Sequence, residues 1–377
     1  MRVGKTPQAI LAAQKAGAKS AIVVCPAIAV PHWYAEWKKW WPECGWLSTV
    51  VSYDRLRLSA AELLARRYDV AIADEAHFAK NPEAQRTRLV YGKGGLGYCS
   101  GALWALSGTP APKNAAELWP MLRAFGATAM SYADFVARYC YTNADGRILG
   151  TKQRHIEELR DALAKVLLRR TRKEVAPEMP AIAFEFLEAA PASTADLRLP
   201  VGATDAELEA YLDAKPQDHD DRVAVALGKV DSLAEEIAES LKGGLYDRTV
   251  VFGWHVLPLF SLHDALAEHG VESMVMNGQT PPVARARIQE LFRDGKLPVV
   301  IANIAAAGTA IDLSSASHGY FIEMDWTPGN NVQAANRLVS MAKQEPVTFD
   351  VVTAPGTVDD AVQKILLRRV KELAKLY

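Results

Sequence analysis

Two short stretches of the chain combine residue types suited to phosphate chemistry. Gly4-Lys5-Thr6 stands directly before a helix-like run over residues 7–16. Backbone N–H groups at such a helix start point at anions, an ammonium neutralises them, and a threonine hydroxyl suits magnesium. Gly4, Lys5 and Thr6 are therefore candidates for a phosphate cradle, with Thr6 as a magnesium ligand. Asp74-Glu75-Ala76-His77 follows the strand-like run Val70-Ala71-Ile72-Ala73. Carboxylates at the C-terminal end of a buried strand can hold magnesium, the part of Asp74, and polarise an attacking water, the part of Glu75. A Gly-Lys-Thr triplet is common by chance at this chain length and the acidic tetrapeptide is rare, so the second motif lends weight to the first.

Such residues need a scaffold that collects strand ends and helix starts, and the surrounding pattern supplies one. Ala21-Ile22-Val23-Val24 precedes a helix-like run over 31–41, residues 70–73 precede the acidic turn, and further strands are expected over 102–106 and around Ile148. This alternation is the βα rhythm of a parallel sheet covered by helices. Trp33, Trp37, Trp40 and Trp41 fall at helical spacing and are expected to pack in the core. The rhythm breaks over 174–244, a Pro- and Ala-rich stretch followed by an acidic helical one from 206 to 241, which reads as a linker plus a helical insertion. It restarts with strands over 249–252, 273–276, 299–303, 319–324 and 347–352, alternating with helices over 257–269, 281–294 and 331–343. A terminal helix is expected over 358–376.

Bulk properties narrow the field. A chain of 377 residues can bury two cores of ordinary size. A formal charge of -1 and a pI near 6.7 exclude a protein held on nucleic acid by global positive charge, so any such contact must come from local patches. The four cysteines, Cys25, Cys44, Cys99 and Cys140, lack CxxC spacing, which argues against a disulfide framework or a zinc site and fits a reducing cytoplasm. No run of about 18 apolar residues is present, so a membrane span is not expected.

Further segments then fall in one order. Pro26 and the Trp33-Tyr34-Ala35-Glu36 helix come first, followed by Leu106-Ser107-Gly108-Thr109-Pro110 with Asn114, Glu117, Leu118 and Trp119, and by Leu168-Arg169-Arg170. Val250-Val251-Phe252, Gly278-Gln279-Thr280 with Arg285, and Ala307-Gly308-Thr309 through Leu313 come next. Trp326-Thr327-Pro328, Gln333-Ala334-Ala335-Asn336-Arg337 and Gly356-Thr357-Val358-Asp359 complete the series. In this order the chain resembles the Snf-type DNA translocases of the second helicase superfamily, and Phe135 with Arg138-Tyr139-Cys140 is similar to the annealing-helicase, fork-remodelling branch. The resemblance covers nearly all of the chain except about 180–247.

The resemblance implies an α/β fold of two RecA-like lobes, 1–173 and 245–377, each a mainly parallel sheet covered by helices, with residues 174–244 between them. It implies ATP and magnesium as cofactors, with Gly4, Lys5, Thr6, Asp74 and Gln333 binding the nucleotide and Lys5, Asp74, Glu75 and Arg337 acting in catalysis. His77, Ser107, Gly108 and Thr109 would couple the nucleotide state to movement, and Asn114, Thr280 and Thr309 would grip DNA. Charge on a transferring phosphoryl group is met from both lobes, and alternating grip on the phosphate backbone turns hydrolysis into stepping without base-specific contacts. The expected function is a DNA-dependent ATPase that moves on duplex or branched DNA, with replication or recombination proteins as partners. It is expected to act as a monomer in the cytoplasm of a bacterial or phage-infected cell. A strand-separating helicase and a nucleotide-gated DNA clamp that does not turn over are the alternatives.

Two departures from the family's pattern carry consequences. Only Met1-Arg2-Val3 precede Gly4, so the phosphate loop and the strand before it are expected to be incomplete, as with a start assigned too far downstream; an open place in the first sheet should follow. Ser340 stands where the family places a second arginine, three positions after Arg337, and loss of such a finger can lower turnover about a thousandfold. Ala310 replaces a glycine of the fifth motif, a smaller departure.

Overall fold

The computed structural model describes residues 4–44, 48–170, 172–178, 180–189, 207, 220–307, 311–340 and 343–376. The chain divides into two compact units, one built on residues 3–171 and the other on residues 172–371.

The first unit is organised by a parallel sheet of β1 (Ala21–Cys25), β2 (Ser48–Ser52), β3 (Tyr68–Asp74) and β4 (Ser100–Leu106), in the order β2-β1-β3-β4. The strand β1 is buried along its whole length because both faces are covered. On one face α1 (Lys5–Lys15) and α2 (Val30–Trp40) bring Ile10, Trp33 and Trp37 against Val23 and Ile72. On the other, Leu56, Val90 and Leu96 pack on Ile22, Val24 and Ala71. Burial on both faces is why these strands read as continuous apolar runs rather than alternating ones. Trp33 and Trp37 are fully buried and Trp40 is exposed, so the tryptophan stripe is mainly core. The strand β2 escapes sequence reading because Ser-Thr-Val-Val-Ser is short, polar at both ends and placed at the sheet edge.

At the opposite edge β4 pairs with β3 alone among the described residues. Trp104 and Leu106 on β4 are half-buried and line a cavity of about 620 Å3 together with Ala9 of α1 and with Phe125. The strand expected around Ile148 exists as β6 (Ile148–Thr151), but it pairs antiparallel with β5 (Cys140–Thr142) outside the main sheet. Its surroundings form a separate helical cluster in which Leu118, Leu122, Phe135, Tyr139, Leu159 and Leu163 meet.

The second unit holds six parallel strands in the order β7-β12-β11-β8-β10-β9: β7 (Ile182–Glu188), β8 (Thr249–Gly253), β9 (Ser273–Met276), β10 (Val299–Asn303), β11 (His318–Phe321) and β12 (Val347–Thr353). Val250, Phe252, Val300, Phe321 and Phe349 face one layer of core, and Val251, Val299, Ile301 and Tyr320 face the other. Residues 174–244 supply more than a connection. The strand β7 extends the sheet from an edge that leaves Phe184 and Phe186 exposed, so it carries no buried-strand signature. Helix Val230–Lys242 packs Leu233, Ala234 and Ile237 against Leu259, Leu262 and Ile322.

One expected element is shorter than its pattern. The helix over 331–343 is instead Pro328–Ala335 followed by a 3-10 turn, Asn336–Leu338, after which Val339 is extended. Leu338 and Val339 are both fully buried.

Gly319 shows how closely the second sheet is packed. A Cβ there would run into the Phe349 ring and lie 3.0 Å from the Val250 carbonyl oxygen. Gly319→Ala is expected to cost about 1–3 kcal/mol of stability through overpacking. Denaturant unfolding of the variant measures it, and an unchanged midpoint would show that Phe349 gives way freely.

Candidate active site

In the first unit the site grows from two element ends. The helix α1 starts at Gly4, whose φ of 75° is a left-handed conformation, with no side-chain cap and no acidic residue in the first turn. Among the described residues no side chain caps its first N–H groups, which with the partial positive charge of the helix start suit an anion. Lys5 follows at once, and Thr6 is half-buried beside it. The strand β3 ends at Asp74, and Glu75 takes φ 48° and ψ 52°. Among the described residues it alone has a positive φ without being glycine. A backbone held this way costs about 1–3 kcal/mol and persists only where its surroundings impose it.

With that backbone, Glu75 stands between two partners. Its Oε1 lies 3.7 Å from Lys5 Nζ and its Oε2 lies 3.2 Å from His77 Nδ1. The same His77 nitrogen lies 3.2 Å from Ser107 Oγ, which accepts a hydrogen bond of 3.1 Å from the Thr109 amide. A polar chain therefore runs from Lys5 through Glu75 and His77 to the end of β4, where Ser107, Gly108 and Thr109 lie. Lys5, His77 and Ser107 also border the cavity beside β4.

Asp74 is clamped at three atoms. The Trp33 indole donates to Oδ2 at 2.8 Å, the Glu75 amide to Oδ1 at 3.0 Å, and the Tyr53 hydroxyl to the main-chain carbonyl at 2.9 Å. Burial pushes the Asp74 carboxyl above its ordinary pKa and the neighbouring Glu75 charge adds to this, while Lys5 and the Trp33 N–H oppose it. These residues fit magnesium. Each Asp74 carboxylate oxygen accepts one of those bonds and keeps acceptor capacity, and the Thr6 hydroxyl at the start of α1 is a second oxygen donor suited to a hard cation. Magnesium at phosphates takes one or two protein oxygens and completes its shell with phosphate and water, so a larger metal-binding cluster is not required.

The second unit carries the remaining expected residues. Gln333 is buried on helix Pro328–Ala335, and Arg337 is half-buried in the following turn, where its carbonyl accepts from the Leu313 amide at 3.0 Å. Thr280 closes a turn in which its Oγ1 accepts from the Asn277 amide at 3.0 Å. Buried Arg285 pins that turn, donating to the Thr280 carbonyl at 2.9 Å and to the Asn277 carbonyl at 2.6 Å, and burial lowers its guanidinium pKa. Arg285 is thus the anchor of the Thr280 loop. Thr309 and Ala310 lie outside the described residues. In the first unit Asn114 caps the turn Ala115–Leu118 through a 3.1 Å bond to the Ala116 amide. Arg138 and Tyr139 converge on Glu158.

The structure thus brings Gly4, Lys5, Thr6, Asp74, Glu75, His77 and Ser107 to one end of the first sheet. The sequence did not reveal that Trp33 and Tyr53 hold Asp74. Trp33 belonged to an apolar stripe, and nothing in its spacing distinguished an indole with an acceptor from one without.

A family model described as an SNF2-related domain matches residues 47–190, and one described as a helicase conserved C-terminal domain matches residues 228–341. The acidic motif lies within the stretch that the first of these models matches, and Gln333, Arg337 and Ser340 lie within the stretch that the second matches. Over its whole length the chain is 27% identical to the SWI/SNF-related matrix-associated actin-dependent regulator of chromatin subfamily A-like protein 1 of Xenopus laevis, covering 41% of that protein. It is 25% identical to the DNA annealing helicase and endonuclease ZRANB3 of Mus musculus, over 98% of this chain and 38% of the relative. The chain therefore spans less than half the length of either. Among solved structures it is similar to the Sulfolobus solfataricus SWI2/SNF2 ATPase core in complex with dsDNA, with 19% identity, coverage of 99% of this chain and 86% of that one, and a TM-score of 0.42.

Proposed function

We propose that the protein is an ATP-dependent motor that moves on duplex or branched DNA. The observation that carries this reading is the polar chain Lys5–Glu75–His77–Ser107, which joins a phosphate-ready helix start to a strand end bearing two carboxylates. Lys5 and the α1 N-terminus hold the phosphates, and Thr6 and Asp74 hold magnesium. That ion, when bound, neutralises charge on the β- and γ-phosphate oxygens. Glu75 orients the attacking water and takes its proton. His77 and Ser107 tie Glu75 to the end of β4, so a change at the phosphates reaches the segment that leads to Asn114. On the same reading Arg337 meets charge on the transferring group, Gln333 contacts the nucleotide, and Asn114, Thr280 and Thr309 contact the DNA backbone. DNA as the track is supported by the annealing-helicase relative and by the SNF2-related domain. A reducing cytoplasm as its place of work is supported by Cys25 and Cys99, both buried and outside any disulfide.

Ser340 favours a second reading, a DNA clamp gated by ATP that does not turn over. ATP hydrolysis measured with and without duplex DNA separates the two. For the motor, DNA-stimulated turnover is expected, and Lys5→Ala should lower it by at least about a hundredfold, the scale of removing one preorganised charge from a phosphoryl-transfer site. ATP-dependent DNA binding with no ADP formed would select the clamp.

A further inference from the structure

We propose that Trp33 is a positioning residue for Asp74, its indole N–H holding the carboxylate in the orientation in which the metal-bearing nucleotide is bound. This rests on the nucleotide reading above and deepens it. The indole of Trp33 is fully buried and donates to Asp74 Oδ2 at 2.8 Å. The neighbouring Trp37 supplies an internal comparison. It lies one turn along the same helix, is equally buried, and its ring centroid is 6.2 Å from that of Trp33, yet its Nε1 has no hydrogen-bond partner among the described residues. Packing a tryptophan into this core therefore does not by itself demand an acceptor, and the bond to Asp74 is specific to Trp33.

The remaining bonds show what that contact adds. The Glu75 amide and the Tyr53 hydroxyl fix Oδ1 and the main chain of Asp74, and Tyr53 is itself stacked on Phe78 with ring centroids 5.7 Å apart. Only the Trp33 bond restrains Oδ2 among the hydrogen bonds described for this carboxylate. Without it the carboxylate is held through Oδ1 alone and can turn further about its last side-chain torsion, which is a broad one. Groups that orient a metal ligand from behind typically change metal affinity by about 10- to 100-fold.

Trp33→Phe keeps an aromatic ring in the core and removes the donor. Binding of a fluorescent ATP analogue, followed by anisotropy over a range of free magnesium, reads the effect on the full chain. The magnesium concentration for half-maximal binding is expected to rise about 10-fold or more, while binding in EDTA stays as in the unaltered protein. Trp37→Phe should leave the magnesium dependence unchanged, since no such bond is lost. In an Asp74→Asn background Trp33→Phe should add nothing further. If Trp33→Phe and Trp37→Phe shift the magnesium requirement equally, or neither shifts it, the proposal is overturned while the nucleotide reading stands. If the unaltered protein shows no magnesium-dependent binding, the nucleotide reading falls and the proposal with it. Should Trp33→Phe not fold, the indole N–H resonances of the 15N-labelled protein decide: that of Trp33 should move on adding magnesium and nucleotide, and its failure to move would refute the role.

Discussion

Replacing Glu75 with glutamine is expected to slow ATP hydrolysis by about a hundred- to ten-thousandfold and to leave nucleotide binding intact. The side chain keeps its length and an oxygen within reach of Lys5, so the helix start that holds the phosphates is undisturbed. What is lost is the capacity to take a proton from water. The backbone at Glu75 sharpens the expectation. Its left-handed conformation is costly for any residue with a Cβ, and glutamine bears the same cost as glutamate, so the variant should fold as the parent does. Single-turnover hydrolysis beside nucleotide titration checks both halves. A loss of binding equal to the loss of rate would make Glu75 a scaffold for Lys5, and an unaltered rate would place the base elsewhere.

The strained position also explains how much of this site could be read in advance. Asp74-Glu75-Ala76-His77 was legible because a run of buried β-branched and small residues ended on two carboxylates, and burial on both faces leaves β3 no alternating pattern to confuse the reading. The partners of those residues were less visible. The contact of His77 with Ser107 crosses 30 residues of sequence, and that of Trp33 with Asp74 crosses 41. Such pairings depend on strand order, which a parallel sheet assembles only in three dimensions. The same limit hid β2 and β7. Both are edge strands, and an edge strand with one flank open needs no unbroken apolar run. The stretch 206–241 was read as helical, but that reading could not say which sheet the apolar faces of helices Asp220–Gly228 and Val230–Lys242 would cover.

Ser340→Arg is expected to raise the rate of ATP hydrolysis by up to about a thousandfold, the scale on which an arginine finger acts. The surrounding geometry makes this a test of one residue rather than of the fold. Ser340 follows the end of the 3-10 turn, where Val339 is fully buried and extended, and the Ser340 carbonyl accepts from the Lys343 amide at 3.2 Å. Lys343 is itself tied down, its ammonium donating to the carbonyls of Ser314 and Ala316. The Ser340 carbonyl and the Lys343 ammonium are thus held by bonds that an arginine side chain at 340 does not replace, and position 340 is only half-buried, so the added guanidinium has a route outward. A rise in turnover without a change in nucleotide affinity would show that the parent chain lacks only a charge in the transition state. An unchanged rate would mean either that Arg337 already meets that charge or that position 340 cannot deliver one. Arg337→Ala in both backgrounds separates these outcomes, because it removes the activity of the parent in the first case and leaves it as it was in the second.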